Sequence, residues 1–323
     1  MKFIKIGLQV MGNRVLVPFS SVIYPFFFVV SYIKSFPRKT FDQKVQYKML
    51  FDRRAYLHET ADKYKAKLIA QDLIGEAGVA KLYQVQLDAN EIDWANLPQE
   101  YVIKVNHGCG GTIIVCREGI DLAEILDSKG KIPLDWKVFR INPNSLNRAV
   151  IQEYFSRLMQ KNYGWGDPFP LCYEWLYRSI KPRIIIEEFL NIEGRSPIDY
   201  RLFVMNGAVQ FIQRDEILPS VHYSSLYNVD WQLQDVDYNY IRPSFEISPP
   251  STLKSMIGYA EELARNTDFA RIDFYEVGKR LVFGEITHYP RAGRNVFTPV
   301  EFSKFFAAKW KVPKSYKKLP PTY

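Results

Sequence analysis

A short hairpin near the C-terminus carries a carboxylate on each arm, and this feature narrows the possible folds most. Ala270-Arg271-Ile272-Asp273-Phe274-Tyr275 and Leu281-Val282-Phe283-Gly284-Glu285-Ile286 read as two strands joined by a turn at Gly278. Asp273 and Glu285 fall where they can share one side of an antiparallel pair. Thr287 joins them if the strand continues, because side chains two residues apart face the same way. Both acids have apolar flanks, and a carboxylate among apolar neighbours needs a partner. Two carboxylates and a hydroxyl form an all-oxygen donor set of the kind that holds Mg²⁺ against phosphates. The plainer alternative makes both acids solvated hairpin residues.

A second constellation is cationic. Tyr101-Val102-Ile103-Lys104-Val105 is an apolar strand with a single lysine. It runs into Asn106-His107-Gly108-Cys109-Gly110-Gly111-Thr112, and Ile113 to Cys116 follows as another strand. If Lys104 points inward it needs a counter-anion, and phosphate would serve. Gly108, Gly110 and Gly111 let backbone N–H groups approach the same phosphates. A Walker P-loop is excluded, because a strand rather than a helix follows the glycines and no G-K-[ST] ending is present. Lys63 opens a helical stretch that stops at Gly75 and Gly78. The apolar strand from Arg183 to Leu190 ends in Glu187-Glu188-Phe189-Leu190, an edge that can present backbone groups to an adenine ring or simply carry solvated acids. Tyr200 to Met205 and Ala208 to Gln213 form a hairpin around Asn206-Gly207. Helices are expected over 144–160 and from about Thr252 to Arg265.

The chain has 323 residues, enough for two or three subdomains, and a formal net charge of +8. That charge favours anionic partners such as nucleotides, acidic glycans or anionic lipid. The cations are dispersed and no DNA- or RNA-binding module is present, so nucleic acid is not an expected partner. Cys109, Cys116 and Cys172 include no C-x-x-C pair, which argues against a disulfide framework or structural zinc and for a reducing setting. Val15 to Ile33 is apolar and uncharged, close to the ~20 residues that cross a bilayer. Arg14 precedes it, Lys34, Arg38 and Lys39 follow, and Pro18 and Pro25 interrupt it. The first reading is membrane attachment with the catalytic part on the cytoplasmic face; a buried helical hairpin ranks second and an export signal last. Lys309 to Tyr323 carries Lys311, Lys314, Lys317 and Lys318. It reads as a solvated, poorly ordered tail ahead of a headgroup-binding one. The expected organisation is therefore a membrane-associated segment over 1–40, a catalytic domain over 41–310 and a basic tail over 311–323.

The order of these pieces resembles the ATP-grasp superfamily. YVIKVNHGCGGTIIV, YEWLYRSIKPRIIIEEFL, DYRLFVMNGAVQFIQ and RIDFYEVGKRLVFGEITHYP together resemble the TupA-like ATP-grasp family, over roughly Phe41 to Trp310. The resemblance implies an α+β fold in which two subdomains clasp ATP, with an apolar helical segment outside it. It implies phosphate binding by Lys63 and Lys104, loop closure by Gly108 to Gly111, an adenine hinge at Glu187, Glu188 and Leu190, and a ribose contact at Asp199. It implies Mg²⁺ held by Asp273 and Glu285; Thr287 stands where the superfamily usually has Asn. Arg271 would steady a substrate carboxylate or acyl intermediate, Arg214 would reach the γ-phosphate, and Arg291 and Arg294 would meet an acidic sugar; for each of the four a surface salt bridge stays open as the plainer role. The family association is with cell-surface polysaccharide synthesis in bacteria. The implied reaction joins a carboxylate to an amine or amino acid on an acidic glycan or a lipid-linked saccharide. A glycan kinase, a glycosyltransferase and a non-catalytic scaffold in a polysaccharide assembly complex stay open beside it.

Overall fold

The computed structural model describes residues 29, 32–135, 137–161, 174–177, 180–192, 196–218 and 221–316. Among them the chain forms, in order, α1 (Phe41–Phe51), α2 (Ala55–Ala61), α3 (Lys63–Ile74), β1 (Leu82–Gln86), β2 (Tyr101–Val105), β3 (Thr112–Ile120), β4 (Val138–Ile141), α4 (Arg148–Met159), β5 (Ile184–Glu188), β6 (Asp199–Met205), β7 (Ala208–Ile217), β8 (His222–Tyr227), β9 (Asp237–Tyr238), α5 (Leu253–Leu263), β10 (Phe269–Val277), β11 (Arg280–Thr287), β12 (Phe297–Thr298) and α6 (Phe302–Ala308). Two five-stranded sheets result, ordered β1-β5-β2-β3-β4 and β11-β10-β6-β7-β8. The second is antiparallel throughout, and the first is antiparallel except between β3 and β4.

Strand alternation sorts the residues of each sheet. In β2, Tyr101, Ile103 and Val105 are buried while Val102 and Lys104 are half-buried. The buried set packs with Ile184 and Ile186 of β5 against Ile151, Tyr154, Phe155 and Leu158 of α4. Those four α4 residues recur at i, i+3, i+4 and i+7, the spacing of one helical face. On the second sheet, Tyr200, Leu202, Ile272 and Phe274 pack on Met256 and Ala260 of α5 and on Ala66 and Ala70 of α3. The opposite face is divided. At one end Phe203 and Phe211 are covered by Phe41 of α1, Phe306 of α6 and Trp310. The other end carries the acids described below.

Local chemistry fixes the boundaries. Thr40 and Gln43 form a capping box at α1, the hydroxyl accepting from the Gln43 amide and Gln43 Oε1 from the Thr40 amide. Asp62 caps α3, accepting from the Tyr64 amide at 3.0 Å. Asn206 and Gly207 have φ of 52° and 88°, the two left-handed residues that the tight β6–β7 hairpin requires.

Several expectations are corrected. The strand after the glycine loop reaches Ile120 rather than Cys116, and β4, β8 and α6 carry no signal that the sequence reading picked out. Residues 311–316 are not a solvated tail: Tyr316 is 5% exposed, stacks near Tyr47 with ring centroids 5.9 Å apart, and donates from its hydroxyl to Asp268 at 2.8 Å. Residues 317–323, and all of the apolar stretch Val15 to Ile33 except Val29, Tyr32 and Ile33, lie outside the described residues. No described helix is long and apolar enough to cross a membrane.

A buried charge cluster ties the chain ends to the second sheet. Lys48, fully buried, reaches Asp52 and Asp268 at 2.7 Å each and Thr267 at 2.9 Å. Arg54 reaches both acids at 2.5 Å. The second oxygen of Asp268 accepts from the Trp310 indole and the Tyr316 hydroxyl, each at 2.8 Å. Burial alone would raise the Asp268 pKa, but Lys48 and Arg54 overcome it and hold it at about 2. The unfolded chain, with an ordinary aspartate pKa of about 3.9, then binds the proton first as pH falls. The stabilisation is complete above about pH 4 and is lost as pH falls towards 2. Asp268→Asn should cost about 3–5 kcal/mol at pH 7 by leaving buried cations uncompensated. Urea midpoints at pH 7 and pH 3 should differ less in the variant than in the wild type.

Candidate active site

The register of the second sheet brings the predicted acids together. Asp273 on β10 is opposite Glu285 on β11, and Arg271 is opposite Thr287. On the other side Asp273 is opposite Arg201 of β6, and Asp199 is opposite Asp215 of β7. Side chains of one parity thus place Arg271, Asp273, Glu285, Thr287, Asp199, Arg201 and Asp215 on one face. Arg271 donates to Asp273 through Nε at 2.7 Å and Nη2 at 2.5 Å, and Nη2 also reaches Glu285 and Thr287 at 3.1 Å each. The Thr287 hydroxyl donates to Glu285 at 3.0 Å. Arg201 contacts Asp199 at 2.7 Å, Asp215 at 2.9 Å and Asp273 at 3.7 Å.

α3 links this face to the first sheet. Lys63, in its first turn, donates to Glu285 at 2.7 Å. Lys67, one turn on, pairs with Glu187 of β5 and donates to the Ala80 carbonyl at 2.8 Å. Glu187 also pairs with Lys104 of β2. Lys104 lies on the side of β2 away from the α4 core, where Glu187 is its counter-ion. Asn106 anchors the start of the glycine loop: its amide donates to Asp62 at 2.9 Å, and its carbonyl accepts from the Lys63 amide at 3.0 Å. His107 is buried, its ring nitrogens at 3.3 Å from Asn106 Oδ1 and 3.2 Å from the Lys161 carbonyl. Gly110 and Gly111 have φ of 72° and 63°, a backbone that glycine adopts without strain.

The other assigned residues are placed as follows. Arg214 does not join the acid face. It is opposite Tyr200, one residue out of phase with Asp215, and pairs with Glu216 at 2.8 Å on the α5 side of the sheet. The cation that β6 supplies is Arg201, legible in the sequence as the residue two beyond Asp199. The Glu187 side chain is 6% exposed and clamped between Lys104 and Lys67. The Glu188 carboxylate meets Arg280 at 2.8 Å and its amide the Lys81 carbonyl at 2.8 Å, so of the proposed hinge only Leu190 lies beyond these contacts. Asp199 belongs to the acid cluster through Arg201. Within the loop, the Gly111 amide donates to the Lys137 carbonyl at 3.1 Å and is not free for a phosphate. Lys67 escaped the sequence reading, although its i,i+4 spacing from Lys63 puts both on one helical face.

The electrostatics show an acid excess. Burial is the main cause that pushes Asp273 up to about 7; Arg271 opposes it, and Asp199 and Glu285 add to it. Glu285 is drawn well below the carboxylate range, chiefly by Lys63, with Arg271 assisting against burial. Burial would raise Glu187, but Lys104 and Lys67 hold it at about 2. Asp199 is raised by burial, and its Oδ1 is buried with no hydrogen-bond partner among the described residues. An orphaned carboxylate oxygen beside a carboxyl whose pKa is raised fits a cation, and the Asp273, Glu285 and Thr287 oxygens fit a hard divalent one.

A sequence profile described as TupA-like ATP-grasp matches residues 43–311. No curated protein matches the chain in sequence. Similar solved structures include the ATP-grasp ligase PsnB with a minimal precursor, at 13% identity and a TM-score of 0.34, covering 77% of this chain and 61% of that one. D-alanine–D-alanine ligase from Helicobacter pylori gives 14% and 0.38, covering 82% and 60%. The enzyme from Bacillus anthracis complexed with ATP gives 14% and 0.36, covering 71% and 55%. The chain spans about three-fifths or less of the length of these proteins. Mg²⁺ should raise the thermal midpoint of the wild type and of Arg214→Gln, which lies on the other face, but not that of Asp273→Asn; a Mg²⁺ titration followed by differential scanning fluorimetry reads this out.

Proposed function

Because the chain belongs to the TupA-like ATP-grasp family, with the α+β ATP-grasp fold that membership carries, we propose that it is an ATP-dependent carboxylate–amine ligase. The observation that carries this reading is α3, which brings Lys63 to the Glu285 carboxylate of one sheet and Lys67 to the Glu187–Lys104 pair of the other. ATP placed between the sheets has Lys63, Lys67 and Lys104 for its phosphates. Asp273, Glu285 and Thr287 would hold Mg²⁺, which neutralises phosphate charge during transfer. A substrate carboxylate oxygen bonds to the γ-phosphorus as the bond to ADP breaks. The amine nitrogen then bonds to the acyl carbon as phosphate leaves. Arg271, already between Asp273 and Glu285, is placed to steady the negative charge that develops in both steps. Catalysis here is positioning and electrostatics, with no protein nucleophile.

The substrate reading is finer. The carboxylate or the amine belongs to an acidic cell-surface polysaccharide or its lipid-linked precursor, and an amino acid or other amine is joined to it. The apolar stretch from Val15 to Ile33, followed by Lys34, Arg38 and Lys39, supports work at the cytoplasmic face of a bacterial inner membrane. The full-length protein with Mg²⁺-ATP, a uronic-acid glycan and hydroxylamine should release ADP and form a hydroxamate. Asp273→Asn and Glu285→Gln should each lower that rate about 100-fold or more. ADP release without any hydroxamate would instead indicate phosphorylation of a hydroxyl.

A further inference from the structure

A short 3-10 turn, Trp175–Tyr177, is pinned beside the segment that leaves β11. Leu176 is fully buried in the core cluster that includes Phe41 and Phe203, and its carbonyl lies 2.9 Å from His58 Nδ1 of α2. The Trp175 indole donates to the Tyr289 hydroxyl at 2.9 Å, and the Arg53 guanidinium lies 4.6 Å from the centre of the Trp175 ring. Tyr289 is two residues beyond Thr287. The chain after it is equally fixed. Arg291, Ala292 and Gly293 are left-handed, with φ of 48°, 50° and 66°, and Gln46 of α1 donates to the Ala292 carbonyl at 2.6 Å. Left-handed residues that carry a Cβ are strained and persist only where the surroundings enforce them. The turn holds out Arg291 and Arg294, both exposed.

Glu174 opens the 3-10 turn, its carbonyl accepting from the Tyr177 amide at 3.2 Å. The residue is half-buried, and among the described residues its carboxylate makes no hydrogen bond or salt bridge. Unlike Asp199 Oδ1, neither of its oxygens is a buried, unpartnered atom, so the carboxylate is unpaired yet open to solvent. Burial pushes its carboxyl up to about 7, with the Arg294 charge opposing. Its neighbours tie it to the reaction centre. Burial raises the Tyr177 phenol, and Glu174, Glu285 and Cys109 add to the rise. Burial also raises the Cys109 thiol of the glycine loop; Lys63 and Arg271 oppose it, while Glu285 and Glu174 assist. Glu174 thus lies with Cys109 and Tyr177 at the side of Glu285. The other acids around the centre are committed, Asp273 and Glu285 to Arg271 and Lys63, Asp199 and Asp215 to Arg201. A carboxylate that already holds a cation is a weak base.

The amine half of a ligation needs a base. At neutral pH an amine of ordinary basicity is an ammonium ion, whose nitrogen pair is tied up in an N–H bond. We propose that the Glu174 carboxylate is the general base that deprotonates the attacking ammonium, an assignment that rests on the ligase reading. One N–H proton passes to a Glu174 oxygen and leaves a neutral amine. The nitrogen pair then bonds to the acyl carbon, the bond from that carbon to the phosphate oxygen breaks, and the departing phosphate takes the second N–H proton. The Glu174 carboxyl returns its proton to solvent. A carboxyl that titrates near the working pH transfers a proton efficiently in both directions.

The test gives the full-length protein Mg²⁺-ATP, a uronic-acid glycan and, at about pH 7, either hydroxylamine or a protonated amine, glycine or ethanolamine. Hydroxylamine is mostly unprotonated under these conditions and needs no base. Glu174→Gln should lower the ratio of amide to hydroxamate about 100-fold at an unchanged thermal midpoint, the scale of a lost general base. Glu174→Asp, which keeps a carboxylate, should restore part of that ratio. A fall of both products together, or an unchanged ratio, would overturn the assignment alone. A wild type that forms hydroxamate but no amide with either amine would overturn it as well. A wild type that forms neither product and releases no ADP would remove the ligase reading, and the base assignment with it.

Discussion

Two lysines one helical turn apart hold the working parts of this protein in place. Lys63 and Lys67 project from the same face of α3, the first onto Glu285 of the second sheet and the second onto Glu187 of the first. Ala66 and Ala70, on the same helix, pack into the core behind the acid-bearing sheet. The helix is thus anchored by apolar burial and linked by charge to both sheets. Its own start is fixed by Asp62, which caps the first turn and also binds Asn106 at the mouth of the glycine loop and Arg183 at 3.2 Å. Loop, helix and strands therefore take their positions from one hydrogen-bonded corner.

Charge compensation inside the site is incomplete, and this gives the site its character. Asp199, Asp215, Asp273 and Glu285 face Arg201, Arg271 and Lys63, and the surplus of acid appears as a raised Asp273 and an unsatisfied Asp199 oxygen. On the first sheet the balance is reversed, with Glu187 facing both Lys67 and Lys104. One wall invites a cation and the other an anion, and a metal-bound polyphosphate carries both. The buried cluster of Lys48, Arg54, Asp52 and Asp268 differs in having every charge matched. Full matching suits a structural joint, because uncompensated charge is what makes burial costly.

The acid face is divided between core and chemistry by strand position alone. Phe203 and Phe211 lie beneath Phe41 and Phe306, while a few residues along the same strands Arg201 and Asp215 lie among acids. Packing of α1 and α6 over the aromatic end makes the polar end rigid without filling it. The same α1 contributes Gln46 and Asp42 to the strained turn after β11, so one helix covers the aromatic end of the acid face and holds that turn.

The sequence by itself determined the strand pair bearing Asp273 and Glu285, the lysine strand with its glycine loop, the β6–β7 hairpin and the helix opened by Lys63, because each is fixed by local periodicity, a cap or a left-handed turn. It also determined that Arg271 and Thr287 share the acids' face, since parity along a strand is a local property. Only the tertiary structure decided which side of the second sheet became the site, and so that Arg201 rather than Arg214 belongs to it. Only the packing of α3 between the sheets decided that Glu187 serves as counter-ion to two lysines. The burial of Tyr316 against Asp268 likewise depends on contacts with residues far away in the chain, which no pattern within the tail encodes. Alternation and capping act over a few residues and are legible in order; pairing of charges across sheets depends on which surfaces meet, and only the folded chain settles that.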